Sequence, residues 1–178
     1  VAFLASEVAL QTVRRARDRG DRRRDRGTLR VLWATILLAV WGSGRLAAAT
    51  PALAAALPAG GEALAALLVA GGLAVRWRAV RALGRLFTVQ VAIRDDHALV
   101  TSGPYARLRH PSYTGLLLAF VGLALSYEHL LALPAMLTPI LAAVLWRIRV
   151  EERALGDAFG DAWEAYARRT ARLVPGVY

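Results

Sequence analysis

"YARLRHPSYTGLLLAFVGLALSY", residues 105–127, decides the fold. Its first nine positions hold Tyr105, Arg107, Arg109, His110 and Tyr113, and from Gly115 to Leu125 no polar side chain interrupts the run. The apolar half reads as a membrane helix. Pro111 disfavours helix at His110, so the helix is predicted to begin near Pro111. His110 then stands at a helix N-terminus, where free N–H groups and the helix dipole favour an anion. An anchor needs one or two snorkelling side chains at such a mouth. Five convergent polar groups point to binding.

Outward from this stretch, the 178 residues are 57% hydrophobic with a net charge of +10. High apolar content fits a membrane, whereas a basic balance fits nucleic acid or an anionic surface. Apolar runs recur at about 31–50, 62–75, 114–127 and 130–146. The run at 62–75 continues as a helix through RWRAVRALGR, and Glu128 and His129 alone separate the last two. Residues 1–13 are too short for a span, which needs roughly 20 residues, and read as the end of a truncated first membrane helix. All basic residues are arginine. Alternating spans place 22 of the 23 arginines on one side of the membrane, with Arg45 on the other. The positive-inside rule makes the arginine-rich side cytosolic. That interleaving argues against a nucleic-acid binder. Without cysteine, disulfides, thiolate metal sites and cysteine nucleophiles are excluded, and no metal is expected.

Between the helices, FTVQVAI (87–93) alternates with a strand's period and ALVTSG follows the turn residues Asp95 and Asp96, predicting a small hairpin at the membrane surface. Residues 151–169 place Leu155, Phe159, Ala162, Trp163 and Tyr166 at helical spacing, predicting an amphipathic surface helix. The expected fold is an all-α integral membrane protein. It has about five transmembrane helices, a short cytosolic β-hairpin-like segment and a C-terminal amphipathic helix. Two parts are expected: N-terminal helices over 1–75, with a basic loop at 14–30, and a catalytic membrane part over 76–178.

Three polar clusters fall on the arginine-rich side: Gln90 with HALVTSGPY (97–105), RHPSY (109–113), and R-x-R-x-EE (147–152). The run LVTSGPYARLRHPSYTG, with EERALGDAFGDAWEAY two helices later, resembles the isoprenylcysteine carboxyl methyltransferase family. Phospholipid N-methyltransferases share that family's C-terminal half. DRGT (25–28) is similar to a short Asp-Arg-Gly-Ser element of bacterial members. The resemblance implies a membrane enzyme using S-adenosylmethionine at the cytosolic face, in a bacterial inner membrane. It implies cofactor contacts at Gln90, at the His-x-Leu-Val segment His97, Ala98, Leu99 and Val100, and at Tyr105, His110, Pro111, Ser112, Tyr113 and Glu151. It also implies that Arg147 meets the substrate.

The residues themselves support such a ligand. A carboxylate can take its amine or ribose, cationic or N–H donors its carboxylate, and aromatic faces its sulfonium and adenine. Glu151, Arg109, His110, Tyr105 and Tyr113 supply that set. The candidate catalytic residues are Arg147, Glu151 and His110. A carboxylate acceptor is already ionised near neutral pH and needs no base. An amine acceptor would require His110 or Glu152 as base.

Plainer roles stay open at this level: interfacial aromatics for Tyr105 and Tyr113, and an i,i+4 ion pair for Arg147 and Glu151. Trp163 and Tyr166 also fit simple packing, and His129 fits an inert turn on the far side. Two other classes also fit the chain. A non-catalytic membrane scaffold would not need His110, Tyr113 and Glu151 together, and a membrane reductase would respond to NADPH. A lipid-bearing acceptor, entering sideways from the bilayer, is the expected partner.

Overall fold

In the computed structural model the described residues are 22–23, 27–84, 92–93 and 99–176. Glycines with positive φ open the first two helices. Gly27 (φ 79°) precedes α1, Thr28–Ala49, and Gly60 (φ 82°) precedes α2, Gly61–Leu83. Glycine adopts this left-handed backbone without a side-chain clash. Helix α2 carries Glu62 in its first turn and Arg81 in its last, matching the helix dipole at both ends. It runs eight residues past the apolar stretch, as expected. Helix α3, Pro111–Leu125, begins at the proline the sequence singled out, with His110 as its N-cap residue. Helix α4, Ala132–Phe159, and the short α5, Asp161–Arg169, complete the α-helices among the described residues.

Helices α1, α2 and α4 are long and apolar enough to cross a membrane; α3 is apolar but has 15 residues. Four of the five expected apolar runs are therefore helices, and residues 1–13 lie outside the described part. Leu37, Leu38 and Trp41 on α1 and Leu64 and Leu67 on α2 are exposed, as lipid-facing side chains are in a helical membrane protein.

Two close pairs build the bundle. Helices α2 and α3 meet through small residues: a Cβ on Gly72 would lie 2.5 Å from the Gly115 carbonyl oxygen, and one on Gly122 would lie 2.5 Å from the Ala65 carbonyl oxygen. Backbones this close leave no room for side chains, which is how helices associate where no hydrophobic drive operates between them. Helix α1 lies against α4 instead. Leu32, Ile36 and Ala39 join Met136, Ile140, Ala143 and Val144 in one core that also takes in Leu116, Phe120 and Ile148.

Two expectations change. Residues 151–159 are not part of a separate surface helix: α4 continues through Phe159, and the chain breaks only at Gly160 (φ 49°) before α5. Glu151 and Glu152 are thus mounted on a membrane-crossing helix, one to two turns beyond its apolar part. The expected hairpin over 87–102 falls mostly outside the described residues. Of its described portions, β2 (Ala92–Ile93) pairs antiparallel with β1 (Arg22–Arg23) of the arginine-rich loop and residues 99–102 form no strand, while Gly103–Ala106 forms a 3-10 turn.

Candidate functional site

Pro111 sets the site. With His110 in an extended-side conformation (φ −127°), the His110 carbonyl accepts the Tyr113 and Thr114 N–H groups at 3.0 and 3.1 Å. The imidazole turns inward and is buried. One turn on, Tyr113 projects from the same face, its ring centroid 5.8 Å from that of His110. Ser112 is held from α2 by Arg76, whose Nη1 donates to the serine Oγ at 2.8 Å.

Helix α4 supplies the opposite wall. Arg147, buried to 3% exposure, donates from Nε to the Tyr113 hydroxyl at 2.6 Å and from Nη1 to Thr28 Oγ1 at 2.8 Å. The Tyr113 hydroxyl in turn donates to Glu151 Oε2 at 3.2 Å. A relay Thr28–Arg147–Tyr113–Glu151 therefore joins α1, α4 and α3. Arginine and glutamate one helical turn apart are thus also linked through a tyrosine on another helix, which a simple ion pair would not need. The two acidic neighbours then diverge. Glu152 is engaged on three sides, by Arg109 Nη1 at 3.4 Å, His110 Nε2 at 3.3 Å and Arg172 Nε at 3.0 and 3.2 Å. Glu151, its side chain one-third exposed, stands 3.9 Å from His110 Nδ1. His110 accordingly sits between two carboxylates, one locked and one open.

The loop before His110 is fastened from the C-terminal side. The Tyr166 hydroxyl donates to the Tyr105 carbonyl at 2.8 Å and to the Leu108 carbonyl at 3.3 Å. Arg109 and His110 N–H groups donate to the Ala171 and Arg172 carbonyls, and Thr114 Oγ1 donates to Leu173 O at 2.7 Å. Burial, reinforced by the Glu151 charge, pushes the buried Tyr105 phenol's pKa well up. Burial also pushes the Tyr166 phenol up to about 12. Both hydroxyls stay protonated and able to donate.

Of the candidates named from sequence, Tyr105, Arg109, His110, Ser112, Tyr113, Arg147, Glu151 and Glu152 come together. Pro111 is buried beneath them, and Leu99 and Val100 are half-buried in the irregular segment leading in. Gln90, His97 and Ala98 lie outside the described residues. Tyr166 and Trp163 pack inward, both buried. Sequence reading did not single out Thr28, Arg76 or Arg172 as site residues. Each lies far along the chain from the motif it braces, and only DRGT offered a signal, for Thr28.

The chain matches the model of the isoprenylcysteine carboxyl methyltransferase (ICMT) family over residues 64–157. It is 33% identical over 108 residues to a protein-S-isoprenylcysteine O-methyltransferase of Schizosaccharomyces pombe, covering 57% of this chain and 44% of that protein. It is 36% identical over 110 residues to protein-S-isoprenylcysteine O-methyltransferase B of Arabidopsis thaliana, covering 58% and 53%. The cobalt-zinc-cadmium resistance protein CzcN of Cupriavidus metallidurans is 40% identical over 99 residues, covering 54% and 45%. Among solved structures, the eukaryotic intramembrane Ras methyltransferase ICMT superposes with a TM-score of 0.62 at 25% identity, covering 82% of this chain and 52% of that one. The chain spans about half the length of the curated relatives it matches.

Proposed function

Because the chain belongs to the isoprenylcysteine carboxyl methyltransferase family, we propose that it is a membrane methyltransferase that esterifies a carboxylate on a lipid-bearing acceptor. The observation that carries this reading is the convergence of His110, Tyr113, Arg147 and Glu151 at the polar end of apolar helices. That position suits one reactant arriving from water and the other from the bilayer.

The donor set fits S-adenosylmethionine. Glu151, partly exposed, offers a carboxylate to the cofactor's amine or ribose hydroxyls. Arg109 Nε, buried without a hydrogen-bond partner among the described residues, is an unmet donor on the His110 side, where an anionic group would be welcome. Tyr105 and Tyr113 bring aromatic faces beside them. When bound, S-adenosylmethionine supplies a methyl group on a sulfonium, open to in-line displacement by an acceptor oxygen. Positioning then carries the catalysis. His110, Tyr113 and Glu151 hold the cofactor side. Arg147, kept rigid by Thr28 and Tyr113, presents its guanidinium to orient the acceptor carboxylate. Burial of that guanidinium strengthens its pull on an anion. An amine acceptor would need a base; Glu152 is already bound to Arg109 and Arg172 and His110 Nε2 is turned to Glu152, so the arrangement favours a carboxylate.

The site faces the cytosol in this reading, on the arginine-rich side, in a bacterial inner membrane. The test is incubation of the purified protein with labelled methyl donor and parallel panels of lipid-bearing carboxylates and amines. Base-labile methyl ester on the carboxylate panel is expected. Label on amine headgroups alone would replace this reading with phospholipid N-methylation, and no label on either would remove it.

A further inference from the structure

Residues 161–176 lie beyond the segment matched by the family model, yet they touch the site at its most constrained point. Glu152 is ionised-acceptor hardware: a carboxylate can only accept hydrogen bonds. Arg172 Nε reaches both of its oxygens, at 3.2 and 3.0 Å, and Arg109 Nη1 adds a contact at 3.4 Å to Oε1. The same Oε1 lies 3.3 Å from His110 Nε2. The proton on Nε2 must therefore point at Glu152, which directs Nδ1 toward Glu151. The backbone repeats the link, since the His110 N–H donates to the Arg172 carbonyl. One residue thus holds His110 through its main chain directly and through its side chain by way of a carboxylate.

We propose that Arg172 is a positioning residue: by fixing Glu152 it fixes the tautomer and orientation of His110, and so the face the imidazole presents to the ligand. Outer partners of this kind set ring orientation for histidines in metal sites by the same physics. The side chain of Arg172 is about one-third exposed, so replacing it removes the only group that reaches both Glu152 oxygens among the described contacts, leaving Arg109 and His110 on Oε1, without opening the core. The main-chain bond to His110 survives substitution. Lysine keeps the charge but not the planar fork.

The ligand part of this inference rests on the methyltransferase reading; the His110 part does not. The test uses the full chain in nanodiscs with 15N-labelled histidine, comparing wild type, R172Q and R172K. In the wild type the His110 ring nitrogens report one fixed state with the proton on Nε2. R172Q moves these signals toward an averaged tautomer mixture, and R172K moves them in the same direction by less. The thermal midpoint stays within a few degrees. Calorimetry with S-adenosylhomocysteine shows about tenfold weaker binding in R172Q, the size of one lost charge-assisted hydrogen bond. His110 signals unchanged in R172Q and R172K overturn the proposal, and should R172Q fail to fold, R172K alone decides. If the wild type does not bind S-adenosylhomocysteine, the methyltransferase reading falls while the histidine spectra still decide the role of Arg172.

Discussion

The two ends of the bundle each bury a histidine in a tight turn beside a helix start, and the two are used in opposite ways. At the end away from the arginines, His129 Nε2 lies 3.0 Å from the Thr50 carbonyl and 2.9 Å from its hydroxyl, while Nδ1 accepts the Leu131 N–H at 3.3 Å. Both ring nitrogens are taken up in stapling the 50–55 loop to the α3–α4 turn, helped by the Ala55 N–H to Glu128 carbonyl bond at 2.7 Å. At the other end, His110 faces two carboxylates on one helix, and one of them is partly open to ligand. A histidine satisfied by backbone is structural. One satisfied by side chains, themselves chained to arginines and a tyrosine, belongs to a polar network that the proposed function uses for its ligand.

The comparison breaks most visibly through catalysis. Arg147→Ala at the arginine-rich end is expected to lower kcat/KM for the lipid acceptor by about a hundredfold or more, as when one preorganised donor is removed from a reacting oxyanion. Initial-rate assays check this, and unchanged carboxylate methylation would remove Arg147 as anchor. Next in size, Glu151→Gln keeps the shape of the side chain and gives up its charge. It should raise the KM for S-adenosylmethionine by about tenfold or more while moving the acceptor KM little. Equal effects on both KM values would shift Glu151 from the cofactor to the reaction centre.

The far end should answer in stability instead. His129→Ala leaves the Leu131 N–H without its side-chain partner and the Thr50 carbonyl with the Leu53 N–H alone, and is expected to cost about 1–3 kcal/mol, read as a lower thermal midpoint. Activity per folded molecule stays at the wild-type level. A specific loss of activity would erase the contrast between the two histidines. The smallest effect is in pH. The Tyr166 phenol, at about 12 when folded against an ordinary 10.0, holds its proton longer in the folded than in the unfolded chain. Its contribution to stability is complete below pH 10 and is lost as pH rises through about 12. Midpoints recorded across that window should fall less steeply in Tyr166→Phe than in the wild type.

Much of this was legible along the chain. Pro111 marked the start of α3, the apolar run named the helix, and RHPSY and the Glu151–Glu152 pair, both singled out in the sequence, lie together in the fold. The glycines at 72, 115 and 122 were visible, but their partnership depends on which helices meet, and periodicity is silent on that. The continuation of α4 through 151–159 was missed because Glu151, Glu152, Arg153 and Asp157 end the apolar pattern without ending the helix. Backbone hydrogen bonding continues regardless of side-chain polarity until Gly160. Arg76 and Arg172 were hidden for another reason. In a chain with 23 arginines, topology explains all but one, and nothing in the sequence separates a guanidinium that faces lipid headgroups from one that braces Ser112 or Glu152.

In the proposed function the polar end of the bundle, and not the stapled end, takes the methyl donor. Titration calorimetry of S-adenosylhomocysteine into wild type, Glu151→Ala and His129→Ala tests it most directly. Saturable binding that persists in His129→Ala and disappears in Glu151→Ala is the predicted result; no binding to the wild type, or equal binding to all three, would contradict it.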